Sequence, residues 1–453
     1  MANMSSNPVI FIGAADAICA KAIKFFAAAS KAPIVLADAD EDAVVKANSH
    51  LPAGRATVKK VNIFEPAELR DLIAGAALVV LGAQPYYRTS GSVLQACLDA
   101  KVPYLDYSDD VTTTQDSLDL HERVKKEGVA CYINCGASPG MTNLMAVDAA
   151  QDLDTVDSID ICWYVTDEGG QLGKEVLEHL MHITAGPCLT WAGGKAATHE
   201  NWVETAYAPV ESGGSEVLLH ESIHPEPVTL PRRFPNANRI RCLGAINPAP
   251  INGIARGLSK AVHTGSLSME AAIDFLYNLP KMSSSPGPGW TGALGAVSAQ
   301  LRGGDITLKQ LFQLASHAAG SLGPWRHAIW GLIEQVYSGD CSATEVVRFM
   351  IDSARGKPPQ YRSGMMVRVL GTRNGHPAVV IRRCPDSRRE VFGNGMDAEI
   401  GASCAAFILM ALEEPEKRAG VFCPDEWADP QAFYKSMERL GCRPDQIVES
   451  FRA

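Results

Sequence analysis

Pro8-Val9-Ile10-Phe11-Ile12-Gly13-Ala14-Ala15-Asp16-Ala17-Ile18 is the most informative stretch of this chain. An uncharged apolar run that stops at a glycine has the look of a strand buried on both faces, as in a parallel sheet. The Ala-rich segment from Asp16 to Ser30 reads as a helix. A second apolar run, Ile34 to Ala37, ends in Asp38. The alternation continues. Helices are expected over Glu41 to His50, Glu65 to Ala74, Gly91 to Ala100 and His121 to Glu127, with strands over 57–63, Leu78 to Leu81, Val102 to Leu105 and Val129 to Asn134. Strand-helix repetition of this kind implies a doubly wound parallel sheet of the Rossmann type.

After Pro139 the texture changes. Strand-like runs (Ser158 to Tyr164, Glu216 to His220) mix with Gly- and Pro-rich turns, which suggests an α+β domain. A helical pattern occupies about 293–355, an insertion that suits either a dimer surface or a lid. Asn374-Gly375 between Met366 to Leu370 and Ala378 to Arg382 is a hairpin signal. Ile400 to Leu412 is again an apolar helix. The expected fold class is α/β: a Rossmann-type doubly wound parallel sheet plus an α+β substrate domain with a helical insertion. The expected division is 1–137, completed by 393–453, and 138–392.

Bulk properties bound the function. A chain of 453 residues exceeds one ordinary core of roughly 100–200 residues. Its 46% hydrophobic and 20% charged content is that of a globular protein. A net charge of −10 argues against nucleic acid or an anionic membrane as partner. The 12 cysteines lack metal-ligand spacing, so reduced buried thiols and no metal are expected. No leader peptide or membrane span is evident, and the expected location is the cytoplasm.

The turn after the first strand is a degenerate dinucleotide fingerprint. Gly13 is retained, whereas Ala15 stands where a second glycine lets the pyrophosphate approach. The order strand, Gly13, helix, strand, Asp38 strengthens it, because the carboxylate lies where a ribose 2′-hydroxyl is met. Gly13, Ala14, Ala15, Asp16, Ala17 and Asp38, with Gly82 and Ala83 after the fourth strand, are therefore candidate cofactor-binding residues. Asp38 would repel a 2′-phosphate and tilts the expected NAD(P)H cofactor towards NAD. A second candidate, Cys135-Gly136-Ala137-Ser138-Pro139-Gly140-Met141-Thr142-Asn143, follows the sixth strand and precedes a helix. It places Ser138, Pro139 and Gly140 at the carboxyl edge of the sheet.

These segments, together with Tyr104-Leu105-Asp106, His224-Pro225-Glu226-Pro227-Val228-Thr229-Leu230-Pro231-Arg232 and the tail from Glu399 to Gly441, resemble the saccharopine dehydrogenase-like family, which includes saccharopine reductases and carboxynorspermidine dehydrogenases. The resemblance implies hydride transfer between NAD(P)H and a carbon bonded to nitrogen, with an amino acid or amine and a carbonyl compound as small-molecule substrates. It also implies that the C-terminal segment packs on the cofactor domain. A homodimer is the expected assembly. Tyr104 and Asp106 are expected on the nicotinamide side, Asp106, His179 or His182 as the acid that keeps an iminium protonated, and Arg232 or Arg233 as carboxylate receptors. Two other readings stay open: a reductase of the same fold acting on C=C or C=O, and a non-catalytic dinucleotide-binding protein.

Overall fold

The computed structural model describes residues 7–166, 183–211, 215–284, 308–354, 362–385, 396–414 and 418–452, together with Leu177, Leu180, Met181 and Gly213. Of residues 279–284, 308–322, 353 and 354 it describes the backbone.

The first sheet contains β1 (Val9–Ile12), β2 (Ile34–Asp38), β3 (Ala56–Lys60), β4 (Leu78–Leu81), β5 (Tyr104–Asp106) and β6 (Ala130–Tyr132). Its order, with β15 (Gly420–Phe422) added at one edge, is β15-β6-β5-β4-β1-β2-β3, and every pairing is parallel. This is the doubly wound arrangement expected from the alternation. The central strands β1 and β4 are wholly buried, as unbroken apolar runs require, whereas the edge strand β3 carries exposed Lys59 and Lys60. The first helix, Ala17–Ala29, turns Cys19, Ala20, Ala22, Ile23 and Phe26 inward, and Asp16 caps it by accepting from the Cys19 N–H at 2.9 Å. A helix over Val111–Asp119 was not foreseen, and the one expected from Gly91 starts at Tyr86.

The second sheet has nine strands. Seven lie in the order β10-β11-β12-β7-β13-β14-β16, and β8 (Pro187–Ala192) pairs with β12 and with β9 (Lys195–Glu200). Here β7 is Thr155–Thr166, β10 Thr205–Ala208, β11 Val217–Glu221, β12 Arg239–Asn247, β13 Gly364–Arg373, β14 His376–Arg383 and β16 Glu449–Arg452. The β7–β12 pair is parallel and the others are antiparallel. Asn374 and Gly375, at φ 53° and 77°, turn the β13–β14 hairpin, as an Asn-Gly pair between strands predicts. The expected domain division is corrected at its end. Residues 393–453 do not all serve the first domain, because β16 pairs with β14 and extends the second sheet.

The helix Met141–Ala150 packs on β7, β13 and β14 of the second sheet and is covered by the helices Pro424–Trp427 and Pro430–Arg439. Residues 141–149 are all buried, and the helix has no polar face, the signature of a helix packed on all sides. Met141, Leu144 and Met145 share one apolar cluster with Ile159, Ile161, Ile240, Cys242, Val367 and Val369 of the second sheet. The core is thus continuous from one sheet to the other.

Within the helical part, Pro250–His263 crosses the long helix Leu308–Ser338 at glycines. A Cβ on Gly257 would meet the His327 carbonyl oxygen at 2.1 Å, and one on Gly331 would meet that of Gly253 at 2.0 Å. The long helix leaves Ile329, Trp330, Ile333 and Tyr337 exposed. Among the described residues no helix is long and apolar enough to cross a membrane.

This crossing generates a paired prediction. Gly331→Ala should lower stability by about 1–3 kcal/mol, because the backbones must separate. Gly91→Ala, in a helix with nothing within 4 Å of the added carbon, should raise it by about 0.5–1 kcal/mol. Urea unfolding of both variants checks the opposite signs.

Candidate functional site

The expected cofactor residues gather at the carboxyl ends of β1, β2 and β4. Gly13 has φ +85°, and a Cβ there would lie 2.3 Å from the Ala83 nitrogen, so the β1 turn and the end of β4 touch through the space a side chain would fill. Gly82 is equally confined, its missing Cβ 2.4 Å from the Tyr107 hydroxyl. The Gly13 N–H donates to the Ala37 carbonyl at 2.9 Å, tying the turn to β2. At the end of β2 the Asp38 carboxylate accepts the Ala39 N–H at 2.7 Å and the Ala15 N–H at 3.2 Å. One carboxylate therefore shapes the turn and stands at the end of β2, where a ribose hydroxyl is expected.

A dinucleotide fits this cradle at its ribose end and at the Gly13 turn. The phosphate end departs from the usual pattern. Ala15 adds a methyl group, and Asp16 sits at the mouth of the helix where a phosphate would share the free N–H groups. Burial raises the Asp16 pKa, opposed by backbone bonds from Cys19, Ile18 and Ala17, and the nearby Asp38 charge adds to the rise.

The loop after β6 is held by its own backbone. Gly140 (φ +130°) leaves no room for a Cβ, which would lie 2.0 Å from the Gly136 carbonyl oxygen. The Gly136 N–H donates to Pro139 O at 3.1 Å, the Met141 N–H to Gly136 O at 3.0 Å, and the Gly140 N–H to Asn143 Oδ1 at 3.0 Å. Asn143 donates in turn to Asp425 at 2.8 Å and to Thr229 at 3.1 Å. Burial pushes the Asp425 carboxyl up to about 6.

This loop and the helix that follows it hold the segment between β11 and β12. Ser138 Oγ donates to Glu226 Oε1 at 2.7 Å, and Thr142 Oγ1 donates to the same oxygen at 2.9 Å. The other carboxylate oxygen, Oε2, lies 2.5 Å from His224 Nδ1. Glu226 is 0% exposed. Burial alone would raise its pKa, but the His224 charge and the bonds from His224 and Ser138 outweigh burial and hold it below the ordinary range. The two most specific motifs of the sequence thus meet in space. Glu226 lay inside one of them and was not singled out, since a motif does not show which member faces the other domain. The thiol of Cys242 lies near His224 and Glu226, with possible ligand atoms of the three within 4.8 Å of one another. Both oxygens of Glu226 are occupied by hydrogen bonds, and burial keeps the Cys242 thiol protonated. The group therefore reads as a hydrogen-bonded clasp.

Other expected site residues are placed differently. Asp106 is fully buried and accepts from Tyr104 Oη at 2.8 Å, the Asn134 N–H at 2.9 Å and the Ser108 N–H at 3.1 Å. Burial raises the pKa of both Asp106 and Tyr104. Together they brace the ends of β5 and β6. Arg232, expected as a carboxylate receptor, pairs through its Nε with Glu426 Oε1 at 2.9 Å and so ties helix Glu226–Arg233 to the C-terminal segment. Arg233, at the end of the same helix, is exposed. Arg241 and Arg368 both bind the buried Asp160, at 2.8 and 2.7 Å. His179 and His182 lie outside the described residues.

Comparisons with known proteins agree with this frame. Residues 9–132 match the model of the saccharopine dehydrogenase NADP binding domain. The whole chain resembles the apo, histidine-tagged saccharopine dehydrogenase (L-Glu forming) of Saccharomyces cerevisiae, at 11% identity and TM-score 0.62, over 99% of this chain and 100% of that one. A myo-inositol dehydrogenase from Corynebacterium glutamicum matches at 11% identity and TM-score 0.31, over 53% of this chain and 68% of that one, too weakly to bear on the argument. The resemblance to the saccharopine dehydrogenase-like family therefore stands: the chain carries a nicotinamide dinucleotide-binding domain of that kind within the same overall fold.

Removing the carboxylate of the clasp should be costly. Glu226→Ala leaves two hydroxyls and an imidazole buried without their partner and should lower stability by about 3–5 kcal/mol. Ser138→Ala removes one hydrogen bond and should cost about 1 kcal/mol. Because the folded pKa of Glu226 is depressed, its contribution is full above the unfolded value of about 4.3 and is lost as pH falls through the folded value. Denaturant unfolding as a function of pH should accordingly show a smaller acid-side loss in Glu226→Gln than in the parent.

Proposed function

We propose that this chain is an NAD(P)-dependent oxidoreductase that transfers a hydride at a carbon bonded to nitrogen, joining an amino acid or amine to a keto acid or aldehyde through an imine, or running the reverse. The observation that carries this reading is the clasp of Ser138 and Thr142 on Glu226. It holds one face of the second sheet at the carboxyl edge of the first, where ligands of doubly wound folds bind. A bound nicotinamide supplies or accepts the hydride.

The chain's own residues do the rest. Asp38 takes the ribose hydroxyls while keeping the Ala15 N–H. Gly13 lets the turn lie against Ala83, so that the dinucleotide crosses the sheet at the β1–β4 step. Asp106 holds the ends of β5 and β6 in register beneath the nicotinamide side. The carboxylate of Asp38 favours NAD, because a 2′-phosphate there would meet a like charge.

Titration with NADH and with NADPH, followed by the fluorescence of the reduced nicotinamide, tests the reading. Binding is expected for at least one, tighter for NADH, and binding of neither overturns it. Asp16→Asn removes a like charge beside the phosphates and should tighten binding between about two- and fivefold. A panel of amines plus keto acids then separates the chemistries. Consumption of NAD(P)H that needs no amine would assign the chain instead to reduction of C=O or C=C.

A further inference from the structure

The face of the second sheet that meets the first domain continues past the clasp. On β12, Cys242 and Gly244 point the same way, two residues apart. Gly244 pairs with Trp163 of β7 on one side and with His220 of β11 on the other, while Cys242 pairs with Ile161. The helix Met141–Ala150 meets Glu226 through Thr142 near its start and Arg382 through Asp148 near its end. β7 follows after a short turn and runs back alongside it. The row Trp163–Gly244–His220 therefore lies beyond the start of that helix, on the side of the carboxyl edge of the first sheet.

The row packs tightly and yet leaves polar atoms without partners. Trp163 lies over Gly244, where a Cβ would come within 2.0 Å of its ring. Trp202 packs on Trp163 (ring centroids 6.0 Å apart) and stacks on His220 (5.1 Å, 18° between planes). Trp202 is fully buried and holds φ +63°, a conformation that a bulky residue adopts only under constraint. Among the described residues, Trp163 Nε1, Trp202 Nε1 and His220 Nδ1 are all buried without a hydrogen-bond partner. Interiors rarely leave one such group unpaired, and three in one contacting cluster call for a partner from outside. Burial pushes the His220 imidazole down to about 4, with Asp340 opposing and Arg256 adding to the fall, so the ring is neutral near pH 7. Two N–H donors beside a neutral imidazole suit an acceptor oxygen.

We propose that Trp163, Trp202 and His220 form a substrate subsite in which the two indole N–H groups donate to a carbonyl or carboxylate oxygen of the small molecule that is reduced. The proposal rests on the oxidoreductase reading for the reaction that this oxygen enters, and on the sheet geometry for the site itself.

The indole N–H signals of isotope-labelled protein provide the test. The chain has seven tryptophans, and Trp163→Phe and Trp202→Phe identify the two signals of interest while keeping an aromatic ring in place. The probes are acetate, acetamide, pyruvate and 2-oxoglutarate at millimolar concentration. Saturable shifts of both signals with at least one probe are expected, together with a roughly tenfold weaker affinity for that probe in each Phe variant. No shift with any of the four probes, or unchanged affinity in both variants, overturns the subsite. NADH titration of the same variants should match the parent, so a failure of the subsite is distinguishable from a failure of dinucleotide binding.

Discussion

A buried carboxylate has to be satisfied, and at Glu226 the satisfaction comes from two distant segments at once. Two hydroxyls arrive from the loop and helix that follow β6 and an imidazole from its own segment. Leaving such a charge unpaired in a low-dielectric interior costs far more than an ordinary hydrogen bond. The loop after β6 and the helix Glu226–Arg233 are therefore not free to drift apart at this point. The loop from Gly136 to Gly140 and the start of the buried helix after it take their positions from this constraint.

Much of the first domain was legible because its signals are local. Uninterrupted apolar runs such as Val9 to Ile12 and Leu78 to Leu81 are long enough to be strands and too short for helices, and Gly13 and Asp38 punctuate them at diagnostic places. The Asn374-Gly375 hairpin was legible for the same reason, since the turn chemistry sits in two adjacent residues. The second domain was less so. Its strands β8 to β11 are short and several are half exposed, so neither an apolar run nor a sustained alternation marks them. The partners of Asp106 and Arg232 were not legible because a side chain's partner is a fact of three dimensions. Tyr104 and Glu426 take up groups that the sequence presents as available. The row of Trp163, Gly244 and His220 was invisible for a related reason, as three strands from distant segments bring it together.

The strand-one turn shows how a weak motif and a sound architecture coexist. The close approach of Gly13 to Ala83 is imposed by sheet packing, so this glycine is required whether or not a ligand is present. Ala15 and Asp16, by contrast, are where the chain departs from the common dinucleotide-binding pattern. The demands of the fold and of a cofactor would thus fall on neighbouring residues by separate physical routes.

The last part of the chain divides its strands between both domains. β15 is an edge strand of the first sheet and β16 an edge strand of the second, with the helices Pro424–Trp427, Pro430–Arg439 and Pro444–Ile447 between them. During synthesis, the first 400 residues can form their local helices and hairpins, yet each sheet still presents an open edge to its surroundings. Each sheet gains its last strand in chain order only when residues 420–452 have left the ribosome. The maturation of the two sheets is thereby coupled in time as well as in space, and a nascent chain halted before residue 420 would carry two unfinished sheets, not one finished and one incomplete.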